Sequence, residues 1–365
     1  MRSSRPKPLH LLCGRPMVAH VLDALAELAV ERVVVVVGHG GDRVSKEVSA
    51  QAPAGVHVDY VEQRVQRGTG DAALVALTAF ADGPDDDADD GDLVVLPGDT
   101  PLLRPPTLAA LVRLHRQSGA AASVLTAVLP DPTGYGRVLR TRDDHVRRIV
   151  EHADASDDER RVQEVSTSIY CFRRSLLAPA LRRLSPENAQ AEYYLSDVIG
   201  VLAHAGYQVV GLVAEDPVET AGVNDRAQLA IAEAELRDRT NERWMRRGVT
   251  MVDPERTYID ASVVLSADVT LFPGTILRGA TVIGPGAEIG PDAHLIDTRV
   301  DERAVVESSV GRRAIVGPDA RVGPFVTLEA GAYVPAAMVT GPYRVFTAEG
   351  PGTTEASDAT STKGR

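Results

Sequence analysis

A carboxylate stands directly after the most strand-like stretch of the chain. The run 93–96 (L-V-V-L) predicts a strand buried on both faces, and Asp99 follows it after the turn Pro97–Gly98. Ligands of open α/β sheets bind at the carboxyl ends of strands, so Asp99 lies where a metal–phosphate site would be built. Asn224 could add a second oxygen, because a carboxylate with a carboxamide suits Mg²⁺. A turn aspartate and a helix-capping asparagine are the simpler alternatives.

One lysine is set apart by its neighbours. Pro6 and Pro8 restrict the backbone around Lys7. The 365-residue chain has only two other lysines, Lys46 and Lys363, against 36 arginines. A lysine on a rigid turn suggests a phosphate-binding role. An ordinary surface lysine is the alternative.

Two glycine-containing loops and one further carboxylate complete the candidates. The loop 63–72 runs from Gln63 through Gly68 and Thr69 into a helix, and its free N–H groups could hold a nucleotide or base. The loop 131–138 contains Gly136, which lets the backbone approach a ligand closely. Glu151 follows an apolar pair. Each is also compatible with an ordinary loop or a surface glutamate.

The elements that must position these residues alternate between strands and helices. Residues 1 to about 225 predict a mostly parallel, three-layer α/β domain. Residues 225–247 lack Pro and Gly, carry apolar residues at helical spacing and predict one long arm helix. From Ile259 onward, aliphatic residues recur every six positions, which is the signature of a β-solenoid. These positions are Ile259, Leu265, Leu271, Leu277, Ile283, Ile289 and Leu295, then Val316, Val322, Leu328 and Val334, with Val300, Val305 and Val310 between the two blocks.

Composition restricts the class of protein. The net charge of −12 argues against nonspecific nucleic-acid binding, and the apolar runs are too short to span a bilayer. Two cysteines, Cys13 and Cys171, and no visible signal peptide are typical of a cytoplasmic protein. The acidic run 85–92 predicts a solvated loop. Residues 338–365 lose the repeat and predict a disordered tail.

Taken in order, the motifs resemble the bacterial bifunctional N-acetylglucosamine-1-phosphate uridylyltransferase/glucosamine-1-phosphate acetyltransferase family over about residues 1–335. The shared motifs are S-S-x-P-K-x-L-H, Q-x-x-x-x-G-T, G-D-x-P-L-L, P-T-G-Y-G-R, I-V-E-H, E-Y-Y-L-S-D-V-I and A-G-V-N. The resemblance implies a Rossmann-like nucleotidyltransferase domain (1–224), a linker arm helix (225–248), a shortened left-handed parallel β-helix (249–337) and the tail. It also implies Mg²⁺ as cofactor, UTP and N-acetylglucosamine-1-phosphate as substrates, and a homotrimer assembled through the β-helix.

The resemblance assigns a role to each candidate residue. Lys7 would contact the nucleotide phosphates and, with Asp99, act in catalysis. Asp99 and Asn224 would hold the metal. The remaining substrate-binding residues would be Gln63, Gly68 and Thr69 for the uracil, Pro97 and Gly98 along the nucleotide, and Gly136, Glu151 and Ser166 for the sugar.

Three departures from the family pattern raise expectations of their own. The family's first strand and its loop L-A-A-G-x-G-T-R-M are absent, so we expect the reading frame to begin further upstream. Ser166 stands where the family has an asparagine, and Ala191 where it has a glycine, so sugar selectivity is open. Glu329 replaces an arginine in V-G-P-F-x-x-L-R-P-G, and later coils are missing, so no acetyltransferase activity is expected.

Two other hypotheses fit these departures. One is a nucleotidyltransferase for another sugar-1-phosphate, which Ser166 and Ala191 favour. The other is a catalytically impaired homologue that acts as a trimeric scaffold or regulator, which Ser166, Glu329 and the missing loop favour.

Overall fold

The computed structural model describes residues 1–38, 41–51, 56–80 and 91–351. The chain divides into two compact units, one of residues 1–10 and 16–232 and one of residues 11–15 and 233–365. Most of the predicted acidic loop, residues 85–90, lies outside the described residues. Within the described ranges, no helix is both long and apolar enough to cross a membrane.

Eight α-helices are distributed over the described residues, together with short 3₁₀ turns at Lys7–Leu9, Pro217–Thr220 and Pro254–Arg256. The helices are α1 (Met17–Asp23), α2 (Gly41–Gln51), α3 (Thr69–Thr78), α4 (Pro105–Ser118), α5 (Asp157–Arg160), α6 (Arg174–Leu181), α7 (Asp197–His204) and α8 (Arg226–Arg246). The long helix α8 lies where the sequence predicts an arm.

Within the part of the chain that the structure describes, ten strands precede the solenoid. They are β1 (Leu11–Leu12), β2 (Arg15–Pro16), β3 (Arg32–Val37), β4 (His57–Glu62), β5 (Asp92–Val95), β6 (Ala122–Val128), β7 (Arg137–Arg140), β8 (Val146–Val150), β9 (Glu164–Arg173) and β10 (Val209–Val213). The main sheet has the order β10-β6-β9-β7-β8, and β5 also pairs with β9. Strands β3 and β4 form a separate parallel pair.

The first unit has the Rossmann-like α/β architecture that the sequence predicts. The prediction of a mostly parallel sheet is wrong for the main sheet, because among the described strands most pairs are antiparallel and β9 runs against each of its neighbours. Strand β10 runs parallel to β6, while β9 pairs antiparallel with β5, β6 and β7. The core lies around β6 and β9, where Leu125, Ile169 and Phe172 are completely buried. Each such side chain stabilises the fold by roughly 1.5–3 kcal/mol.

The strand before Asp99 is less buried than the sequence predicts. Every residue of β5 is partly exposed rather than buried on both faces. Its only strand partner among the described residues is β9, so the apolar run predicts the strand correctly but overestimates its burial.

The second unit is a parallel β-solenoid whose short strands stack in three sheets. The strands are β11 (Thr250–Met251), β12 (Tyr258–Ile259), β13 (Val264–Leu265), β14 (Thr270–Leu271), β15 (Ile276–Arg278), β16 (Val282–Ile283), β17 (Glu288–Ile289), β18 (His294–Ile296), β19 (Arg299–Val300), β20 (Val305–Val306), β21 (Val310–Arg312), β22 (Ile315–Val316), β23 (Arg321–Val322), β24 (Thr327–Leu328), β25 (Tyr333–Val334), β26 (Val345–Thr347) and β27 (Gly350–Pro351). From β12 to β25, each two-residue strand buries its second residue, because successive side chains alternate between faces.

In the irregular stretch of the repeat, the inward-facing residues differ from those that the sequence predicts. Val306, not Val305, is completely buried, and Gly311 takes the inward position instead of Val310. A Cβ on Gly311 would lie 3.0 Å from Leu295 Cδ2, so a glycine suits this tight coil. The chain therefore shortens these coils while keeping the inward residues stacked.

The solenoid also extends further than predicted. Strand β26 pairs with β24, and Phe346 is buried, so residues 338–351 are not wholly irregular as expected. The prediction failed because twelve positions separate Val334 from Phe346, and no aliphatic residue stands at the six-residue spacing between them. The rest of the predicted tail, 352–365, lies outside the described residues.

Candidate active site

Three side chains from distant parts of the first unit meet at one point. The Lys7 ammonium donates to Asp99 Oδ2, with which it forms an ion pair, and to Asn224 Oδ1 at 2.6 Å. The Lys7 and Asp99 side chains are 33% and 26% exposed, so the pair is open on one side. The structure thus brings together the two predicted metal ligands and the predicted phosphate-binding lysine.

Local structure fixes each of the three residues. Lys7 begins a 3₁₀ turn after Pro6, and Asp99 lies in the turn that follows β5. The Val223 N–H donates to the Asp99 carbonyl at 2.9 Å, which holds the loop before Asn224 against this turn. Asp225 accepts from the Gln228 N–H at 2.8 Å near the start of α8. The Asn224 side chain is therefore free for Lys7 and does not serve as the helix cap.

The donor set suits a hard divalent cation. One carboxylate oxygen and one carboxamide oxygen already converge on a cationic group. Among the described residues there is no cluster of three or more His, Cys, Asp or Glu side chains that could hold a metal. A Mg²⁺ ion here would take its other ligands from water and phosphate, which is its usual behaviour.

The turn before Asp99 leaves space for a ligand. A Cβ on Gly98 would meet no atom within 4 Å. Pro97 is held by the Thr100 hydroxyl, which donates to its carbonyl at 3.2 Å. The predicted nucleotide-lining residues Pro97 and Gly98 therefore stand in a fixed turn beside open space.

The loop predicted to bind the base is shaped by its own side chains. The Gln63 amide donates to the Gly68 carbonyl at 3.2 Å and to Asp71 at 2.8 Å. Gly68 has φ of +105°, and a Cβ there would lie 2.6 Å from the Tyr193 carbonyl oxygen. Only glycine fits this position, because both the conformation and the close backbone contact exclude a side chain.

A second segment fastens this loop. The Tyr193 N–H donates to the Arg67 carbonyl at 2.8 Å, and the Gly70 N–H donates to the Tyr193 carbonyl at 2.8 Å. The Thr69 hydroxyl accepts from the Leu195 N–H at 3.0 Å. The segment 193–196 therefore holds the base loop on one side.

The same segment reaches the predicted sugar site. The buried Ser196 hydroxyl donates to Glu151 Oε1 at 2.7 Å. A Cβ on Gly136 would lie 3.2 Å from Glu151 Oε2, and the Gly136 carbonyl accepts from the Ser166 N–H at 2.8 Å. The structure thus brings Gly136, Glu151 and Ser166 together.

The backbone links this sugar group to the Asp99 turn. Strand β5 pairs with β9 so that Val95 faces Tyr170. The Tyr170 hydroxyl lies 3.0 Å from the Ser166 hydroxyl. The ladder between β6 and β9 slips after Leu125, leaving a bulge at residues 167–168, and such bulges often re-aim side chains next to active sites.

Burial raises the pKa of two side chains near the sugar group. Burial, followed by the charges of Glu151 and Asp154, raises the pKa of Asp197 to about 6. Burial also raises the pKa of Tyr170 well above its usual range, so its hydroxyl keeps its proton at neutral pH. Tyr170 can therefore donate a hydrogen bond toward Ser166.

Sequence reasoning missed several residues that shape the site. Arg137 is almost fully buried and donates to the carbonyls of Tyr135 and Arg160, which fixes the loop around Gly136. Ser196 and Tyr170 were not singled out either. The motifs P-T-G-Y-G-R and E-Y-Y-L-S-D-V-I contain Arg137 and Ser196 and were the available signals for them.

The class of protein follows from comparison with known families. The family model "Nucleotidyl transferase" matches residues 2–244. A solved structure titled as UDP-glucose pyrophosphorylase complexed with UDP-glucose superimposes with a TM-score of 0.51 at 13% identity, over 64% of this chain and 91% of that one. At that identity the likeness supports the fold alone.

Curated relatives define the family more narrowly. The bifunctional protein GlmU of Heliobacterium modesticaldum is 42% identical over 343 residues, which cover 94% of this chain and 72% of the relative. The GlmU proteins of Brevibacillus brevis and Streptomyces avermitilis are 45% and 44% identical, over 92% and 94% of this chain and 70% of each relative. The chain belongs to the nucleotidyl transferase family and to the family of the GlmU proteins.

Proposed function

We propose that this chain transfers the uridylyl group of UTP to N-acetylglucosamine-1-phosphate, forming UDP-N-acetylglucosamine and pyrophosphate for cell-wall precursor synthesis. The observation that carries the proposal is the convergence of Lys7, Asp99 and Asn224. A cation, a carboxylate and a carboxamide at one point are what a site needs to bind a metal-complexed triphosphate.

The reaction requires positioning and charge neutralisation rather than a covalent intermediate. An oxygen of the sugar-1-phosphate attacks the α-phosphorus of UTP, and the bond from that phosphorus to the bridging oxygen of pyrophosphate breaks. Lys7 would hold the phosphates, while Asp99 and Asn224 would hold Mg²⁺. When bound, Mg²⁺ neutralises the charge that develops on the phosphate oxygens.

Glu151 and its neighbours would hold the sugar. Glu151 accepts from Ser196 at 2.7 Å and lies beside the Gly136 backbone. Its carboxylate could accept hydrogen bonds from sugar hydroxyls, and the absence of a side chain on Gly136 lets Glu151 lie close to the backbone. Gln63, Gly68 and Thr69 would bind the uracil in the loop held by Leu195.

A second candidate function differs in its sugar. Ser166 is shorter than the asparagine of the family motif, and its hydroxyl is engaged with the Tyr170 hydroxyl at 3.0 Å. This observation favours a nucleotidyltransferase that accepts a different sugar-1-phosphate. The base loop and the Asp99 group would serve both reactions.

One assay separates these functions. We would measure pyrophosphate release from UTP with N-acetylglucosamine-1-phosphate, glucosamine-1-phosphate and glucose-1-phosphate, with Mg²⁺ or with a chelator. A preference of at least about tenfold in kcat/KM for the acetylated sugar, abolished by the chelator, supports the first function. A clear preference for another sugar supports the second. The absence of release with every sugar would leave the scaffold hypothesis.

We also propose that acetyl transfer is absent. Glu329, where the family motif has an arginine, is an exposed carboxylate on the strand-end after β24. A negative charge there would repel a sugar phosphate acceptor. Release of free CoA from acetyl-CoA in the presence of glucosamine-1-phosphate would contradict this part of the proposal.

A homotrimer built through the solenoid is the proposed assembly. The sheet of β13, β16, β19, β22 and β25 exposes four large apolar side chains on its outer face, two on each side of the exposed Arg299. Apolar side chains grouped on one exposed face are typical of an interface. The four side chains are those of Val264, Val282, Ile315 and Tyr333. Sedimentation at three times the 38.9 kDa chain mass would support the trimer, and sedimentation as a monomer would contradict it.

A further inference from the structure

A cationic pocket lies next to Lys7 in the first unit. It has a volume of about 490 Å³ and is lined by residues 1–7 and by Arg43. Its charged side chains are those of Arg2, Arg5, Lys7 and Arg43, and among the described residues no carboxylate lines it. This concentration of positive charge is unusual in a chain with a net charge of −12. The pocket therefore suits an anion.

The position of Arg43 beside Lys7 is fixed by a hydrophobic core. Helix α2 buries Val44 and Val48 in the same cluster as Leu9, which ends the 3₁₀ turn that Lys7 begins. Arg43 precedes Val44 and is exposed. Because both segments pack into one core, the guanidinium and the ammonium are held along the same pocket.

Arg43 is available for a ligand. Among the residues that the structure describes, no hydrogen bond or ion pair engages its side chain, whereas Lys7 is engaged by Asp99 and Asn224. A guanidinium binds phosphate through paired N–H groups in one plane, so arginine is well suited to a phosphate with two free oxygens.

The location of the pocket selects the part of the nucleotide that it would take. Neither the sugar residues Gly136, Glu151 and Ser166 nor the base loop lines it. In an in-line displacement, the leaving group departs on the side opposite the attacking sugar phosphate. The pocket adjoins Lys7 but does not include the sugar group, as expected for a leaving-group site.

We propose that Arg43 binds the β- and γ-phosphates of the nucleotide and the departing pyrophosphate. This inference rests on the proposed uridylyl transfer. As the sugar phosphate oxygen bonds to the α-phosphorus, the bridging oxygen leaves with the electron pair of the broken bond. Pyrophosphate thereby gains negative charge, which Arg43 neutralises without any proton transfer.

The test compares two variants of one helix. Arg43→Gln removes the guanidinium. Lys46→Gln removes one positive charge from an exposed position of the same helix, α2, at a residue that does not line the pocket. Pyrophosphate binding is measured by titration calorimetry with Mg²⁺ present, alongside the KM for UTP and for the sugar phosphate. We expect Arg43→Gln to weaken pyrophosphate binding and raise the KM for UTP about tenfold each, with the KM for the sugar phosphate unchanged.

The controls keep the result interpretable. Lys46→Gln should stay within about twofold of the wild type, and Arg43→Lys should recover part of the affinity because it keeps the charge but loses the fork. Matching thermal unfolding of both glutamine variants would exclude a folding defect. A bulk charge effect would instead weaken binding equally in both, and that result overturns the inference.

The outcomes also separate this inference from the proposed function. Pyrophosphate affinity that is equal in the wild type and Arg43→Gln overturns the role of Arg43, even if uridylyl transfer proceeds. Tenfold weaker pyrophosphate binding in Arg43→Gln supports it, even if no sugar phosphate in the panel is turned over, in which case the proposed function fails by itself.

Discussion

The two units of this chain place their important residues in contrasting ways. In the first unit, Lys7, Asp99 and Asn224 come from distant segments and meet at one partly exposed point. In the solenoid, the same inward position recurs along the chain, and residues such as Leu277 and Leu295 are completely buried. Chemistry in the first unit depends on single polar atoms, whereas stability in the second depends on repeated apolar contacts.

This difference predicts that function and stability can be damaged separately. A polar substitution at the Asp99 point should remove activity with little loss of stability. An apolar truncation in the solenoid should remove stability and leave substrate binding unchanged. Four substitutions test the contrast, in order of decreasing expected effect.

The largest effect is expected from Asp99→Asn. The substitution keeps the shape but removes the charge that would hold Mg²⁺ and that now pairs with Lys7. We expect kcat/KM for pyrophosphate release to fall by about 10³-fold, which corresponds to ~4 kcal/mol. The unfolding free energy should change by less than about 1 kcal/mol, because the pair is partly exposed. Asp143→Asn, at an exposed hairpin position, is the matched control and should retain full activity.

Next comes Leu295→Ala in the solenoid. Leu295 is completely buried in the solenoid core, so truncation should cost about 2–5 kcal/mol of unfolding free energy. Trp244 is the only tryptophan and belongs to the same core, so its fluorescence during urea unfolding reports on this unit. The neighbouring, partly exposed Ile296→Ala should cost about 1 kcal/mol or less. Equal losses for both variants would refute the idea of a repeated inward core.

A smaller effect is expected from Ser196→Ala. Without the hydroxyl that donates to Glu151, the carboxylate loses one fixed orientation. The KM for the sugar phosphate should rise about tenfold, with the KM for UTP within about twofold. Ser196→Thr, which keeps the hydroxyl, should restore the KM. A parallel rise in both KM values would show that Ser196 supports the whole pocket instead.

The smallest effect concerns Asp197 and depends on pH. The pKa of Asp197 is raised from 3.8 to about 6, so the folded protein binds this proton more tightly than the unfolded chain does. Its contribution to stability is therefore present below about pH 4 and is lost as the pH rises through about 6. Asp197→Asn removes this loss and should add ~1 kcal/mol at pH 7.5, a figure reduced because the side chain is partly exposed.

Urea unfolding of Asp197→Asn and the wild type at pH 5.0 and 7.5 measures this difference. The gain in unfolding free energy should be clearly smaller at pH 5.0 than at pH 7.5. The exposed Asp143→Asn substitution is the control for the general effect of removing one negative charge. A gain that is equal at both pH values would show that ionisation of Asp197 is not its source.

Much of the architecture could be predicted because it depends on local patterns. The six-residue spacing predicted the solenoid, and the alternation of apolar runs predicted the α/β unit. The change of the inward residue from Val305 to Val306 could not be predicted. A turn between two strands of the solenoid can be one residue shorter without any visible change in amino-acid composition. Phe346 was missed because the position six residues before it is Thr340, which is not aliphatic.

The candidate site was predictable where one residue type is unusual for its surroundings. Lys7 is one of three lysines, and Asp99 directly follows an apolar strand and turn. Ser196 and Arg137 could not be recognised in this way, because serines and arginines are common in this chain. Their importance depends on which carboxylate or carbonyl the fold places beside them.

The segment 193–196 has a consequence for how two ligands would influence each other. Through Tyr193 and Leu195 it is hydrogen-bonded to the base loop, and through Ser196 it is hydrogen-bonded to Glu151. A nucleotide that orders the loop would lower the entropy lost when a sugar phosphate orders Glu151. Thermodynamic linkage then requires the sugar phosphate to raise the affinity for the nucleotide by the same factor, so this short stretch would make the two substrates mutually cooperative.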